Sequence, residues 1–476
     1  MSLLRPHQEQ PVRDLVRILR AHPSAVDMSD TGTGKTFTAC AVIKEMALPT
    51  LVVCPKIACS QWHRTAEHFG DSVDVINYEK LRTGRTPYGT WEREPTRETF
   101  LKCLNCQLVV DPDKPAPCYA HHAGIHCVSK IRAEQNLGRF TFHPAVKMVS
   151  FDEGHRCGAL DSLNARMLIA ARRQRIKTLL LSATLAASPL HMRAIGYALD
   201  LFPSPAAFPG WARRFGVRYD LAFHGYHWFA TPEKQVEHMR LIGESLVPAR
   251  GVRVTTDSIP GFPGVDVTSE LYDLDEWEAV NGIYAQMHAA LEKVSARAAS
   301  DAGTQIVELL RAQQKVELLK VPIVIELLEK YLAAGFSMGV FCNFRQTLDE
   351  LRARLKCDCF IDGSPDGVRH RQRSIDAFQS NASRLILVNS AAGREALSLH
   401  DLHGGHPRGG LVFPGHSAVG LKQVLGRFPR DGGKSRSFYK IILAARTGDV
   451  TIHRALQTKL GNLAALNDAD LVPSRL

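Results

Sequence analysis

The chain has 476 residues, of which 45% are hydrophobic and 22% charged, the composition of a folded globular protein. This length is too great for one hydrophobic core and predicts two to four compact units of roughly 100–200 residues each. The formal net charge of +11 favours a polyanionic partner, because cationic side chains that neutralise phosphates release counterions. The sequence has no apolar run of about 18 residues, which excludes a transmembrane helix, and its N-terminus lacks the apolar core of a signal peptide. We therefore expect a cytoplasmic protein.

The first part of the chain alternates short apolar runs with helical patterns. Five runs are continuous and rich in Val, Leu and Ile, as buried parallel strands are; they are residues 25–28, 50–54, 73–77, 147–151 and 178–182. The helical stretches between them predict βαβ units and a doubly wound sheet. Residues 83–142, rich in Pro, Cys, His and charge, are predicted to be an insertion.

A second α/β pattern begins near residue 311, with an amphipathic helix followed by further strand candidates. These strand candidates are residues 338–344, 357–363, 384–390, 409–415 and 437–443. The sequence thus predicts an α/β protein with a first lobe at 1–205 and a second lobe at 311–476. The region 206–310 between them is predicted to be a linker or a helical subdomain.

Residues 29–36 (SDTGTGKT) follow a predicted strand and open a helix, which is the context of a phosphate-binding P-loop. The backbone N–H groups of such a loop wrap the phosphates, and the helix N-terminus adds partial positive charge. Lys35 is expected to reach the β and γ phosphates of ATP, and Thr36 to place its hydroxyl on Mg²⁺. Ser29 stands where the strict pattern has glycine. The predicted nucleotide-binding residues of the loop are Asp30, Thr31, Gly32, Thr33, Gly34, Lys35 and Thr36.

Residues 151–155 (FDEGH) end another predicted strand and supply two carboxylates. Asp152 is expected to hold Mg²⁺ through water, and Glu153 to orient and polarise the attacking water. Phosphoryl transfer needs both functions, since a metal neutralises the developing charge while a carboxylate aligns the nucleophile. The pair therefore predicts that the bound nucleotide is hydrolysed.

In this order, SDTGTGKT, FDEGH and LSAT (181–184) resemble the motifs of superfamily 2 helicases, and most closely the Swi/Snf-type branch of DNA translocases. In the first lobe, residues 4–8, 51–62 and 75–82 are similar to the opening motif and to motifs Ia and Ib. In the second lobe, residues 340–351, 361–378 and 423–430 resemble motif IV, the DGS segment and motif VI. The resemblance implies two RecA-like lobes with an ATP-hydrolysing cleft between them, in the compact form found in bacteria and phage-infected cells.

The resemblance also implies a role for each matching position. Gln8 would read adenine, and Arg427 and Arg430 would be arginine fingers that complete the site only when the cleft closes. The coupling positions would be His155, Ser182, Thr184 and Gln423. The positions expected to contact nucleic acid are Lys56, Asn77, Tyr78, Asn343, Arg345, Arg371 and Ser390. Motif V departs from the family, because Gly393 is kept while Arg394 and Ala396 replace two glycines.

A dense cluster of cysteines and histidines lies inside the predicted insertion. Its C-x₂-C pair, Cys103 and Cys106, followed by Cys118, suits tetrahedral Zn²⁺. Cys127, His121 or His122 could be the fourth ligand. We expect a structural role, because a segment this small cannot build a core alone.

The resemblance implies an ATP-driven translocase that moves on duplex or branched DNA. An RNA helicase of the same superfamily is one alternative, and an ATP-gated DNA-binding or recruitment module with little hydrolysis is another. A third is the motor subunit of a larger complex with replication, recombination, restriction or repair proteins.

Overall fold

The computed structural model describes residues 3–70, 73–93, 137–220, 225–274, 313–364, 368–393, 397–415 and 417–445. It also describes short pieces at 100–103, 109–110, 128–131, 278–279, 281–283 and 453–454, and the single residues 285, 311, 449, 457 and 460. Within these ranges, no helix is both long and apolar enough to cross a bilayer.

The strands are β1 Ser24–Asp27, β2 Thr50–Cys54, β3 Asp74–Asn77, β4 Gly89–Arg93, β5 Phe100–Cys103, β6 Val109–Val110, β7 Val128–Ile131, β8 Leu137–Phe142, β9 Met148–Asp152, β10 Lys177–Leu181, β11 Val217–Asp220, β12 Gly225–Trp228, β13 Gly251–Val252, β14 Val265–Tyr272, β15 Ser337–Cys342, β16 Phe360–Ile361, β17 Leu385–Asn389, β18 Arg408–Val412 and β19 Ser437–Ala444.

The α-helices are α1 Pro6–Ala21, α2 Lys35–Met46, α3 Cys59–His68, α4 Tyr78–Leu81, α5 Leu163–Arg173, α6 Met192–Ala198, α7 Phe208–Arg213, α8 Pro232–Leu246, α9 Val321–Ala333, α10 Arg345–Leu355, α11 Val368–Gln379, α12 Ser390–Gly393 and α13 Ala418–Leu425. Short 3₁₀ turns lie at Lys56–Ala58, Gly154–Cys157, Pro189–His191, Pro205–Ala207 and Thr256–Ser258.

The first lobe is built on a parallel sheet whose described strands run in the order β13-β1-β10-β9-β2-β3. Neighbouring residues of a strand point to opposite faces of the sheet. In β2, Val52 and Cys54 pack on the side of α1, α2 and α3, whereas Leu51 and Val53 pack on the side of α5 to α8. This two-faced burial explains the continuous apolar runs in the sequence.

The described part of the insertion is a β-structure. Strands β4 and β8 form an antiparallel ribbon, and β5 pairs with β6 and β7 in a separate sheet. Trp91, Phe140 and Phe142 of the ribbon join the first lobe's core. The insertion thus leaves and re-enters the lobe through a packed two-stranded stem.

The second lobe repeats the architecture with a parallel sheet in the order β14-β19-β18-β15-β17-β16 across its described strands. Its edge strand β14 comes from the stretch that the sequence assigned to the linker, so this sheet takes residues from before 311. Strand β13, from the same stretch, joins the first sheet instead. The region 206–310 therefore contributes to both lobes.

Candidate active site

The loop between β1 and α2 has the shape of a phosphate cradle. Gly32 and Gly34 have φ values of 93° and 89°, the left-handed region that glycine enters without a steric penalty. Helix α2 begins directly afterwards at Lys35, whose Nζ donates to the carbonyl oxygens of Ser29 at 2.8 Å and Asp30 at 2.9 Å. Burial lowers the pKa of Lys35, while the charge of Asp27 opposes that shift. The loop is therefore preformed around its own lysine.

A segment after β13 braces this loop from the side. The N–H of Val254 donates to the Ser29 hydroxyl at 2.9 Å, and the N–H of Thr256 donates to the Asp30 carboxylate at 3.1 Å. Arg253 lies 3.8 Å from the same carboxylate, and both side chains are buried. Sequence reasoning missed this brace, since its residues carry no recognisable motif.

Asp152 ends β9 and is held by two aromatic residues of the first lobe. The Nε1–H of Trp62 donates to Asp152 Oδ2 at 2.9 Å, and the hydroxyl of Tyr78 donates to the Asp152 carbonyl at 2.7 Å. Both rings are almost completely buried. Trp62 is thus a core residue. The Tyr78 side chain is used inside the lobe, and its contact with nucleic acid stays a prediction.

The next residue, Glu153, has a backbone in the left-handed region, with φ 53°. Its carboxylate Oε2 lies 3.3 Å from His155 Nδ1. Burial raises the pKa of Asp152 to about 6, and the charge of Glu153 adds to this effect. Burial alone would also raise the pKa of Glu153, but His155, Lys35 and Arg427 lower it to about 2. Glu153 therefore stays charged next to the P-loop lysine to a lower pH than Asp152 does.

The predicted coupling residues form one hydrogen-bonded chain across the two lobes. His155 Nδ1 lies 3.1 Å from Ser182 Oγ, which accepts the N–H of Thr184 at 3.2 Å. On the other side, Gln423 Nε2 of the second lobe lies 3.4 Å from His155 Nε2. These contacts connect the carboxylate of Glu153, 3.3 Å from His155 Nδ1, to helix α13 of the second lobe.

A cavity of about 240 Å³ joins these elements. Its walls carry Lys35 and Thr36 of the loop and the carboxylates of Asp152 and Glu153. The two predicted arginine fingers line it from the second lobe. The side chains of Arg427 and Arg430 donate to the carbonyl oxygen of Leu397 at 3.2 and 3.0 Å. Burial, followed by the like charge of Arg427, lowers the pKa of Arg430 to about 9. The guanidinium group of Arg430 therefore remains cationic at neutral pH.

The two lobes touch at the P-loop itself. The N–H of Asp431 donates to the carbonyl oxygen of Gly32 at 3.3 Å, and its carboxylate pairs with Arg5 of the first lobe. A Cβ added to Gly426 would lie 2.6 Å from Thr31 Cγ2, so a larger residue there would push the lobes apart. The cavity is accordingly enclosed by both lobes.

The residues of the cavity fit ATP and Mg²⁺. Backbone N–H groups at a helix N-terminus and a lysine suit phosphates. The hydroxyl of Thr36 and the carboxylate of Asp152 are oxygen ligands of the kind that Mg²⁺ prefers. Gln8 lies beside the loop, where its amide donates to the carbonyl oxygen of Thr33 at 3.1 Å and accepts the N–H of Arg5 at 3.0 Å. Its adenine-reading role stays a prediction.

The residues expected to contact nucleic acid occupy different environments. Lys56 and Arg345 are exposed, whereas Ser390 is buried. Asn343 uses its amide within the second lobe, donating to Glu317 at 2.8 Å and to two main-chain carbonyl oxygens. Direct contact by the Asn343 and Ser390 side chains is therefore not supported by their surroundings.

Two further members of that set have local structural partners. Asn77 caps α4 by accepting the N–H of Lys80 at 2.8 Å. Arg371 donates to the carbonyl oxygen of Ala392 at 3.0 Å, and burial together with the charge of Arg427 lowers its pKa to about 10. Arg371 thus supports motif V close to the ATP cavity.

The zinc prediction falls on residues beyond the described ranges. The backbone of Cys103 belongs to β5, but its side chain and the whole of Cys106, Cys118, Cys127, His121 and His122 lie outside the described residues. Arg394 and Ala396 of motif V lie outside them as well.

Comparison with known proteins matches the chain to a family model and to a viral relative. Residues 2–187 match the family "Type III restriction enzyme, res subunit". The protein "Putative ATP-dependent RNA helicase L364" of Acanthamoeba polyphaga mimivirus is 29% identical over 487 residues, covering 98% of this chain and 84% of that protein.

Two solved structures were also matched, each at 13% identity. The Sulfolobus solfataricus SWI2/SNF2 ATPase core in complex with dsDNA aligns with a TM-score of 0.36 over 98% of this chain and 96% of that one. Saccharomyces cerevisiae Dbp5 bound to RNA and ADP BeF3 aligns with a TM-score of 0.42 over 96% and 92%.

Proposed function

We propose that this chain is a superfamily 2 helicase or ATPase that hydrolyses ATP between its lobes and uses the energy to move along DNA. One observation carries the proposal. A single cavity is lined by the P-loop lysine, by both carboxylates at the end of β9 and by two arginines of the opposite lobe. Phosphoryl transfer catalysed by positioning and electrostatics needs this set of groups.

In the proposed reaction, Lys35 and the loop N–H groups bind the β and γ phosphates. Mg²⁺, held by Thr36 and Asp152, would neutralise charge on the phosphate oxygens. Glu153 accepts a hydrogen bond from the attacking water and aligns it. Arg427 and Arg430 stabilise the transferring phosphoryl group only while the lobes are closed.

The coupling to movement follows from the same contacts. The chain from Ser182 through His155 to Gln423 crosses the cleft, so loss of the γ phosphate next to Glu153 changes a contact that holds the lobes together. Opening and closing of two lobes that each bind the backbone would advance the protein along the strand. Exposed Lys56 and Arg345, one in each lobe, are the best placed of the predicted phosphate contacts.

DNA is the preferred substrate because residues 151–155 (FDEGH) and the DGS segment resemble the Swi/Snf-type branch. RNA is the second candidate, favoured by the name of the mimivirus relative. The basic net charge of +11 supports either polyanion.

The test is ATP turnover measured without nucleic acid and then with single-stranded DNA, duplex DNA, branched DNA and RNA. Strong stimulation by duplex or branched DNA is the expected result. Stimulation by RNA alone would reassign the substrate. ATP binding without turnover under every condition would refute the motor and favour an ATP-gated clamp that recruits other proteins.

We also propose a structural Zn²⁺ in the insertion, bound by Cys103, Cys106 and Cys118 with Cys127 or a histidine as the fourth ligand. The density of thiols and imidazoles at zinc-ligand spacing supports it. Elemental analysis of the purified protein should find one zinc per chain, and Cys106→Ser should lose it. A metal-free, fully folded wild type would refute the site.

A further inference from the structure

Cys54 and Cys59 form a pair of thiols beside the ATP cavity. Cys54 is the last residue of β2, and Cys59 is the first residue of α3. Their sulfur atoms lie 3.6 Å apart, which is within the range of a weak S–H···S hydrogen bond. Cys54 is completely buried, whereas Cys59 is partly exposed. Small molecules in solution therefore reach Cys59 but not Cys54.

The two thiols differ in acidity. The S–H of Cys54 donates to the sulfur of Cys59, and this hydrogen bond lowers the pKa of Cys59 although burial opposes the shift. The same hydrogen bond, together with burial, raises the pKa of Cys54. Cys59 also begins a ten-residue helix, whose N-terminus favours negative charge. Cys59 is therefore the nucleophile of the pair, while Cys54 keeps its proton.

A second pair of cysteines, Cys357 and Cys359 of the second lobe, is arranged differently. The Cys357 sulfur donates to the carbonyl oxygen of Cys359 at 3.4 Å, and the Cys359 sulfur donates to that of Ser374 at 3.3 Å. Burial raises the pKa of both thiols, to about 11 for Cys359. This pair therefore lacks an activated thiolate and provides an internal comparison.

The segment that joins the first pair is part of the ATP site. Pro55 and Ala58, which lie between the two cysteines, line the ATP cavity. Trp62 lies one turn after Cys59 on α3, and its indole N–H donates to the Asp152 carboxylate at 2.9 Å. A covalent bond between the sulfurs would draw the start of α3 toward the end of β2. It would thus move the wall from which Asp152 is held.

We propose that Cys54 and Cys59 are an oxidation site for hydrogen peroxide, at which a reversible disulfide forms and slows ATP hydrolysis. In the first step, the Cys59 thiolate attacks one peroxide oxygen, the O–O bond breaks, and a sulfenic acid and hydroxide form. The hydroxide takes up the proton that Cys59 released.

In the second step, the Cys54 sulfur attacks the sulfenic sulfur of Cys59. The S–S bond forms, the S–O bond breaks, and the hydroxyl group leaves as water with the proton of Cys54. Two thiols are oxidised and one hydrogen peroxide is reduced to two waters. The effect on ATP hydrolysis rests on the proposed function, whereas the chemistry of the two sulfurs does not.

The sequence allows the bond to be mapped directly. Trypsin cleaves after Lys44, Lys56 and Arg64, which places the two cysteines on separate peptides. These peptides are residues 45–56 and 57–64. Reduced full-length protein is treated with limiting hydrogen peroxide, alkylated with iodoacetamide and digested without reductant. Mass spectrometry should find the two peptides linked. ATP turnover should fall by about tenfold, and dithiothreitol should reverse both changes.

Three variants separate this site from other thiols. Cys59→Ser should form no linked peptides and should keep its turnover in peroxide. Cys54→Ser should leave a sulfenic acid on Cys59, which dimedone traps. Cys357→Ser is the matched control in the second lobe and should respond to peroxide as the wild type does.

Three results would overturn the site: Cys59 oxidised without linked peptides, dimedone trapped on Cys54 in place of Cys59, or linked peptides with unchanged turnover. Loss of turnover in peroxide by Cys59→Ser would assign the sensitivity to another thiol and would likewise overturn it. The proposed function fails separately. A wild type that forms the linked peptides but hydrolyses no ATP when reduced would refute the motor and leave the oxidation site standing.

Discussion

Trp62→Phe tests whether the indole is a positioning residue for the ATP site and not only part of the core. The substitution keeps an aromatic ring but removes the Nε1–H that donates to Asp152 Oδ2 at 2.9 Å. That hydrogen bond lowers the pKa of Asp152, whereas burial and Glu153 raise it. Without it, the carboxylate is a poorer Mg²⁺ ligand and keeps the N–H of Glu153, which donates to Oδ1 at 2.9 Å.

The size of the effect follows from the charge on the acceptor. A hydrogen bond to a charged group contributes about 1.5–3 kcal/mol, which corresponds to a loss of roughly ten- to a hundredfold in kcat/KM for Mg·ATP. Part of the loss should be recovered at high Mg²⁺. The smaller ring also leaves a void, which lowers the free energy of unfolding by roughly 1–2 kcal/mol.

The assay is ATP turnover as a function of free Mg²⁺, with thermal unfolding measured alongside. Trp211→Phe is the control, because Trp211 is only 6% exposed in the same lobe and packs among Phe202, Phe208 and Phe215. It should lose similar stability without any change in Mg²⁺ dependence. If both variants show the same turnover and the same Mg²⁺ dependence, Trp62 does not position Asp152.

Three further predictions concern the cleft. Glu153→Gln should bind ATP within about threefold of wild type but lose at least ~100-fold in turnover, and normal turnover would contradict the assignment. Arg430→Ala should lower kcat by roughly 10³-fold with ATP affinity nearly unchanged; a pure KM effect in titrations would argue against an arginine finger. Burial lowers the pKa of Lys422 to about 7, and its Nζ donates to the Ala183 carbonyl oxygen across the cleft at 3.2 Å. The folded state therefore prefers the neutral amine, and its stability increases as pH rises from 7 toward the usual lysine pKa. The melting temperature of the wild type should rise more between pH 7 and 9 than that of Lys422→Met. Identical dependence of the two melting temperatures on pH would contradict this.

The sequence was a good guide wherever the information is local. The apolar run at 50–54 coincides with β2, and the run at 147–151 is shifted by one residue from β9. Strands buried on both faces must be apolar throughout, so composition alone identifies them. The P-loop was equally visible, because positive φ values at two positions demand glycine.

Long-range pairing was not visible in the same way. Strand β13 has two residues, and it exists because Gly251 and Val252 pair with β1, not because of any propensity of their own. The brace of Arg253 on Asp30 depends on that pairing. The residues of β14 are likewise partly or fully exposed, and they form a strand because they pair with β19.

A motif predicted the role of a residue least well where the side chain makes hydrogen bonds inside its own lobe. Tyr78 matches a nucleic-acid position, yet an aromatic residue just after β3 lies over the core, where it packs on Phe151 and donates to Asp152. Asn343 similarly binds the buried carboxylate of Glu317, which the sequence places 26 residues earlier. Motif position indicates where a residue lies, but the direction of its side chain is decided by neighbours that the motif does not contain.

The close approach of the two lobes depends on a small residue at one position of the cleft, Gly426. Gly426 is required not by the conformation of its own lobe but by the approach of Thr31, which a Cβ would meet at 2.6 Å. Around that contact lie the Gln423–His155 and Lys422–Ala183 bonds, both made by α13. Any rotation that opens the cleft must break these bonds and withdraw the following arginines together. In the proposed mechanism, hydrolysis and lobe opening would therefore be linked through one helix and the turn after it.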